Sequence, residues 1–94
     1  MYVTVRNYAG TRDLADELVK KEDEVRSLIT GIQGFQAYYL IKTADGEAVS
    51  VSVYDDQAGA EESTRMAREW LQSNLPDLAV SPPQVFGGEV VIQA

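Results

Sequence analysis

The chain contains no histidine and no cysteine, and each absence closes a class of chemistry. Histidine is the commonest general base, a frequent metal ligand and the usual axial ligand of haem. Ser–His, Cys–His and His–metal catalysis are therefore excluded within this chain. Without cysteine there is no disulfide framework, no thiolate nucleophile and no thiolate metal site, and a cytoplasmic location is expected. Positive charge is scarce, with eight Lys and Arg against fifteen Asp and Glu and a net charge of −7. The eight are scattered, so the clustered phosphate contacts that nucleic-acid binding requires are missing, and the acidity serves solubility. No apolar run approaches the roughly 18 residues of a membrane span. The start, Met1-Tyr2-Val3-Thr4, lacks a basic segment followed by an apolar one, so no secretory signal is expected.

What the 94 residues do contain is pattern. Their number suits a single domain, residues 1–94, with a limited core. The stretch GFQAYYLIKTADGEAVSVSVYDD, Gly34 to Asp56, reads as a hairpin. Phe35 to Thr43 and Ala48 to Tyr54 are its strands, joined at Asp45-Gly46, a pair that tolerates positive φ. Alternation puts Val49, Val51 and Val53 on one face and Ala48, Ser50, Ser52 and Tyr54 on the other. The apolar set is expected beneath helices; the small, uncharged set is expected against a partner subunit. A first strand over Tyr2–Tyr8 splits likewise, with Val3, Val5 and Asn7 opposite Tyr2, Thr4, Arg6 and Tyr8. Leu14, Leu18, Val25, Leu28 and Ile29 predict a helix over Arg12–Thr30. A second helix is predicted over Asp56–Asn74, ended by Leu75-Pro76. A loop through Pro82-Pro83 leads to a last strand over Glu89–Gln93. The order β-α-β-β-α-β predicts an α+β, ferredoxin-like sheet with both helices on one face and the other face bare.

The Gly34-Phe35 opening, Asp45-Gly46, the Val-rich strand ending Tyr54-Asp55-Asp56, the helix segment Ala67-Arg68-Glu69-Trp70-Leu71 and Gly88-Glu89-Val90 give the whole chain a resemblance. It resembles the antibiotic-biosynthesis monooxygenase domain family of the dimeric α/β-barrel superfamily. The resemblance implies a homodimer in which two open sheet faces pack into an eight-stranded barrel, each subunit keeping a pocket between helices and sheet. It also implies oxygenation of phenol- or quinone-type substrates without metal or flavin, the substrate's own carbanion or enolate supplying the electron. Haem-degrading members carry a first-strand Asn, a second-helix Trp and an iron-ligating His. Asn7 and Trp70 match the first two, and the His has no counterpart, which disfavours haem.

The expected reaction is therefore a cofactor-independent monooxygenation of a small planar aromatic, with no metal. Trp70 is expected to stack on it and Asn7 to polarise it. Tyr39, Ser63, Met66 and Ala67 are expected to line the pocket, since only one of Tyr38 and Tyr39 can face it. Two alternatives stay open at this point: Trp70 as plain core packing, and a non-catalytic homodimer, a ligand-binding or accessory domain whose helix-side cavity is filled by its own side chains. Asp55-Asp56 reads as helix capping, and Arg65 and Arg68 as solvated charges.

Overall fold

A computed structural model of the chain describes residues 1–78 and 80–94; Ala79, in the predicted loop, lies outside the described residues. The elements run β1 (Tyr2–Tyr8), α1 (Leu14–Lys20), α2 (Glu22–Thr30), β2 (Phe35–Lys42), β3 (Ala48–Tyr54), α3 (Gln57–Asn74), a 3₁₀ turn (Pro76–Leu78) and β4 (Gln84–Glu89). The strands form one antiparallel sheet in the order β2-β3-β1-β4, and the arrangement is α+β and ferredoxin-like. The core gathers Leu14 and Leu18 of α1, Val25 and Ile29 of α2, and Ala60 and Leu71 of α3 over Tyr8, Ala48 and Tyr54 of the sheet. No helix among the described residues is long and apolar enough to cross a membrane.

The two faces of the sheet carry the residue sets that alternation predicts, but the helices take the opposite one. Thr4, Arg6, Tyr8, Ala48, Ser50, Ser52 and Tyr54 are the buried, helix-covered set. Register places Val3 beside Val53, Val5 beside Val51 and Asn7 beside Val49 on the bare face. The reason lies in size and polarity. The small residues of β3 let α3 approach closely, and the hydroxyls serve a buried arginine described below. Alternation shows which residues share a face; it does not show which face is covered. The bare face of the sheet is thus the apolar one.

Two local departures have tertiary causes. The first helix is broken at Lys21, whose backbone (φ −114°, ψ 31°) leaves the helical region. Between Leu18 and Val25 the helical period offers only Lys21 and Glu22 to the core, and the bend lets both apolar ends reach it. The last strand lies at Gln84–Glu89, earlier than Glu89–Gln93, because it pairs with β1 through Gly87. A Cβ there would stand 3.0 Å from the Tyr2 ring, which would have to shift to admit it. At the start of α3, the Asp56 carboxylate accepts from the Gly59 N–H at 3.0 Å, the capping role expected of it.

Candidate functional site

The helix-covered face is built around Arg6. Its side chain is 1% exposed although it is the largest and most polar on β1. Nε donates to Ser50 Oγ at 3.0 Å and Nη2 to Ser52 Oγ at 3.0 Å, both on β3. Nη1 donates to Ser63 Oγ and Thr64 Oγ1 on α3, each at 3.1 Å. One guanidinium thereby ties α3 to two strands through four neutral hydroxyls. No carboxylate is among its partners. Lys20, Lys21, Arg26, Lys42 and Arg65 each have an acidic partner at the surface, whereas Arg6 has none among the described residues. Burying an ion costs several kcal/mol after relaxation, and hydroxyl dipoles offset only part of it. The interior holds a fixed positive charge that the chain does not neutralise.

Three tyrosines surround that charge. Tyr54 OH donates to the Ile29 carbonyl at 3.2 Å. The Tyr8 hydroxyl lies against the Arg6 guanidinium as a hydrogen-bond acceptor, and Tyr38 stands near the same charge. Burial pushes the Tyr38 phenol up to about 12, with the Arg6 guanidinium pulling the other way. Burial also raises Tyr8 above the ordinary phenol range, again opposed by Arg6. At neutral pH both phenols keep their protons. They are hydrogen-bond donors beside a cation, not counter-ions to it.

Tyr8 also forms the wall of a cleft of about 450 Å³ between α3, β4 and the segment 80–83. Thr64, Arg68, Leu71, Gln72 and Leu75 line it from α3, Val85 from β4, and Pro82 and Pro83 from the connecting segment. It lies where α3 covers β1 and β3 but leaves the edge strand β4 uncovered. On the other flank of α3, beside Trp70, the free space is only about 30 Å³, bounded by Arg6, Tyr8, Tyr38, Ser50 and Ala67 among others. That is room for about one water molecule.

These positions divide the expected site residues into two groups. Ser63 is fully buried, accepts from Arg6 and donates to the Ala60 carbonyl at 2.7 Å. Ala67 and Trp70 border the small void, and Met66 and Trp70 pack half-buried against the core. Asn7 and Tyr39 lie on the other side of the sheet. Asn7 stands opposite Val49 and Gln84, and Tyr39 opposite Val51, 61% exposed. The sheet itself separates Asn7 from Trp70, so the expected Asn7–Trp70 pocket does not form in this chain. The reversed face assignment is the cause. Because Tyr38 and Tyr39 point oppositely, the same reversal makes Tyr38 the inward phenol.

Arg6, Tyr8, Tyr38 and Thr64 were not legible as a site from the expected faces. One signal for them was present: an arginine between Thr4 and Tyr8 in alternate positions, on a strand paired with Ser50 and Ser52. Small hydroxyl residues opposite a lone cation are its natural buried partners. Among the described residues no cluster of three or more acidic side chains has the make-up of a metal site.

No family model and no curated protein sequence matches the chain. Solved structures do match its fold. One is described as "Putative antibiotic biosynthesis monooxygenase from Nitrosomonas europaea". It is 14% identical with a TM-score of 0.73, over 98% of this chain and 100% of that one. A dimeric ferredoxin-like protein from an uncultured marine organism is 14% identical with a TM-score of 0.70, over 99% and 95% of the two chains. A mutant of SnoaB, a cofactor-independent oxygenase from Streptomyces nogalater, is 14% identical with a TM-score of 0.60, over 98% and 92%. At these identities the likeness is one of fold.

Proposed function

We propose that residues 1–94 act as one domain that binds a small planar aromatic in the cleft between α3 and β4 and oxygenates it without metal or flavin. The observation that carries this reading is the buried Arg6 guanidinium, with no carboxylate partner among the described residues, against the Tyr8 phenol at the cleft wall. A fixed cation and an oriented O–H donor stabilise an enolate or phenolate as it forms, and a low-polarity surrounding strengthens both. The matching structures described as oxygenases support the reading as fold-level analogy.

The chemistry suits a site without histidine or cysteine. Loss of one proton from an activated CH₂ flanked by a phenol or carbonyl gives an enolate. The enolate passes one electron to dioxygen, and the two radicals combine to a peroxide at carbon. Loss of the remaining C–H proton with cleavage of the O–O bond leaves a carbonyl, and the departing oxygen leaves as water. One dioxygen is consumed, one oxygen atom enters the product, and no external reductant is needed. The protein's part is to position the ring, hold its developing oxyanion at Tyr8 with Arg6 behind, and exclude bulk water.

The bare apolar face is proposed to pack against a second copy, in line with the dimeric ferredoxin-like protein of the same fold. The reaction is tested by oxygen uptake with a panel of anthrone-, naphthol- and hydroquinone-type compounds. Tyr8→Phe and Arg6→Met are each expected to lower turnover by on the order of a hundredfold, as removal of an oxyanion donor does. Asn7→Ala, on the other face, is expected to leave it unchanged. Turnover unaffected by the Arg6 and Tyr8 substitutions sinks the reading. Saturable binding without oxygen uptake by any compound leaves a binding domain in its place.

A further inference from the structure

The cleft differs from the rest of the molecule in charge. Acidic residues outnumber basic ones fifteen to eight in the chain, yet no Asp or Glu lines the cleft. Five of the eight basic side chains are paired with a carboxylate at the surface. Of the three with no such partner among the described residues, Arg68 lines the cleft and Arg6 lies behind its Tyr8 and Thr64 wall. Arg12 is the third, and it is exposed away from the cleft. An acidic chain that keeps two unpaired guanidiniums at one cavity, and no carboxylate in its lining, presents a local positive field there. Of the remaining walls, Leu71, Leu75, Pro82, Pro83 and Val85 are apolar, and Gln72 and Ser81 are neutral, so no second charge is offered to a head group.

We propose that the cleft selects a small amphipathic acid, with Arg68 receiving a carboxylate at the mouth and the apolar walls holding an aromatic body. Arg68 is thereby the specificity-determining residue of the cleft. Its guanidinium presents a fork of N–H donors that matches a carboxylate in two parallel hydrogen bonds. It is exposed and on the flank of α3 that faces β4, so it meets a ligand on entry; Arg6, fully buried, acts on the opposite end through Tyr8. The volume of about 450 Å³ accommodates one or two fused rings and falls in the range of small-molecule sites. The inference names the ligand class of the site described under the proposed function and rests on its placement in this cleft, but not on oxygen chemistry.

The test is calorimetric and uses the full chain with a matched series: 1-hydroxy-2-naphthoic acid, its methyl ester and 2-naphthol. The acid is expected to bind roughly tenfold or more tightly than the ester, the discrimination that a hydrogen-bonded charge provides. Arg68→Gln is expected to remove that preference and leave ester affinity unchanged, whereas Arg12→Gln is expected to preserve it at the same net charge. The preference is expected to survive at elevated salt, as a direct bidentate contact does better than diffuse attraction. Equal affinity for acid and ester, an Arg68→Gln protein that still prefers the acid, an Arg12→Gln protein that loses the preference equally, or no binding of the acid at all overturns the proposal. Oxygen uptake with the naphthol alongside no preference for the acid would leave the catalytic reading standing while removing this one. A preference for the acid without oxygen uptake does the reverse.

Discussion

Arg6 raises the question of why a small protein would bury a charge it does not neutralise. Structural ion pairs in protein interiors are often no more stabilising than well-packed apolar groups of similar volume, and removing the ion can raise stability. Arg6 has no counter-ion among the described residues, and its four hydroxyl partners can bond one another or nearby carbonyls when it is absent, as Ser63 and Thr64 already do with the Ala60 carbonyl. Arg6→Met is therefore expected to leave the urea midpoint unchanged or higher while abolishing ligand-dependent stabilisation. Arg6→Ala, which opens a cavity as well, is expected to cost about 2–5 kcal/mol. A midpoint that falls as far for Met as for Ala would make Arg6 a structural clamp. Tyr38 gives the pH dependence. Its folded pKa of about 12 lies above the ordinary 10 of an unfolded phenol, so the folded state holds a proton the unfolded state releases. That stability is fully present below pH 10 and is lost as pH climbs toward 12, by roughly 2–3 kcal/mol in all. Tyr38→Phe is expected to flatten that decline in urea titrations between pH 9 and 12; an unchanged slope contradicts the burial of the phenol.

The element that sets the site is α3, and its seating depends on one glycine. A Cβ at Gly59 would stand 2.9 Å from the Gln33 carbonyl oxygen and 3.2 Å from the Tyr54 side chain. Neither can give way readily, since one is backbone and the other is a fully buried ring that meets Phe35 edge to face at 6.0 Å. Gly59→Ala is thus expected to destabilise by about 1–3 kcal/mol and to lift α3 from β3, weakening ligand binding in the cleft it walls. Asp56→Ala, which removes only the cap, is expected to cost about 1 kcal/mol without altering affinity. Denaturation and calorimetry on the two variants separate position from stability, and equal effects on binding contradict this division. Much of this level was readable from the residues: the order of elements, the Asp45-Gly46 hairpin, the alternation of β1 and β3 and the end of α3 at Pro76 are local signals. The break at Lys21 and the strand through Gly87 were not, because each answers to tertiary contact, one to the shape of the core and the other to the Tyr2 ring. Gly59 was equally unreadable: a missing side chain marks either an opening or a close approach, and only the neighbouring backbone decides.

The two faces of the sheet divide the molecule's tasks. The helix side holds the charge and the cleft, while the bare side presents Val3, Val5, Val49, Val51, Val53, Ala37, Tyr39, Ile41 and Phe86 with no Asp, Glu, Lys or Arg among the residues in register with them. Tyr39, Ile41 and Phe86 are 61%, 46% and 55% exposed, a contiguous apolar surface of the kind that marks an interface. Two twisted sheets pack face to face about 10 Å apart when their inner side chains interdigitate, and a two-fold contact brings the same patch of each subunit together. The site expected at Asn7 was misplaced for a physical reason: apolar strand faces seek cover, and the sequence cannot say whether helices or a second chain provide it. A second copy is the cover that the charge pattern favours, since neither side of the contact would bury an unpaired ion. Wild-type protein is therefore expected to sediment at twice the chain mass. Val51 lies mid-face, between Val5 and Tyr39, so Val51→Lys would bury two unpaired ammonium groups across the two-fold contact and is expected to release monomers. Glu61→Lys, exposed on α3 and away from that face, changes charge in the same direction and is expected to leave the dimer intact. Wild type at the single-chain mass at tens of micromolar, or a Val51→Lys protein that stays dimeric, contradicts the pairing. Because the cleft lies across the sheet from Val51, a folded Val51→Lys monomer is also expected to keep its ligand affinity within a few-fold. Loss of both together would mean that the cleft depends on the second subunit for its shape.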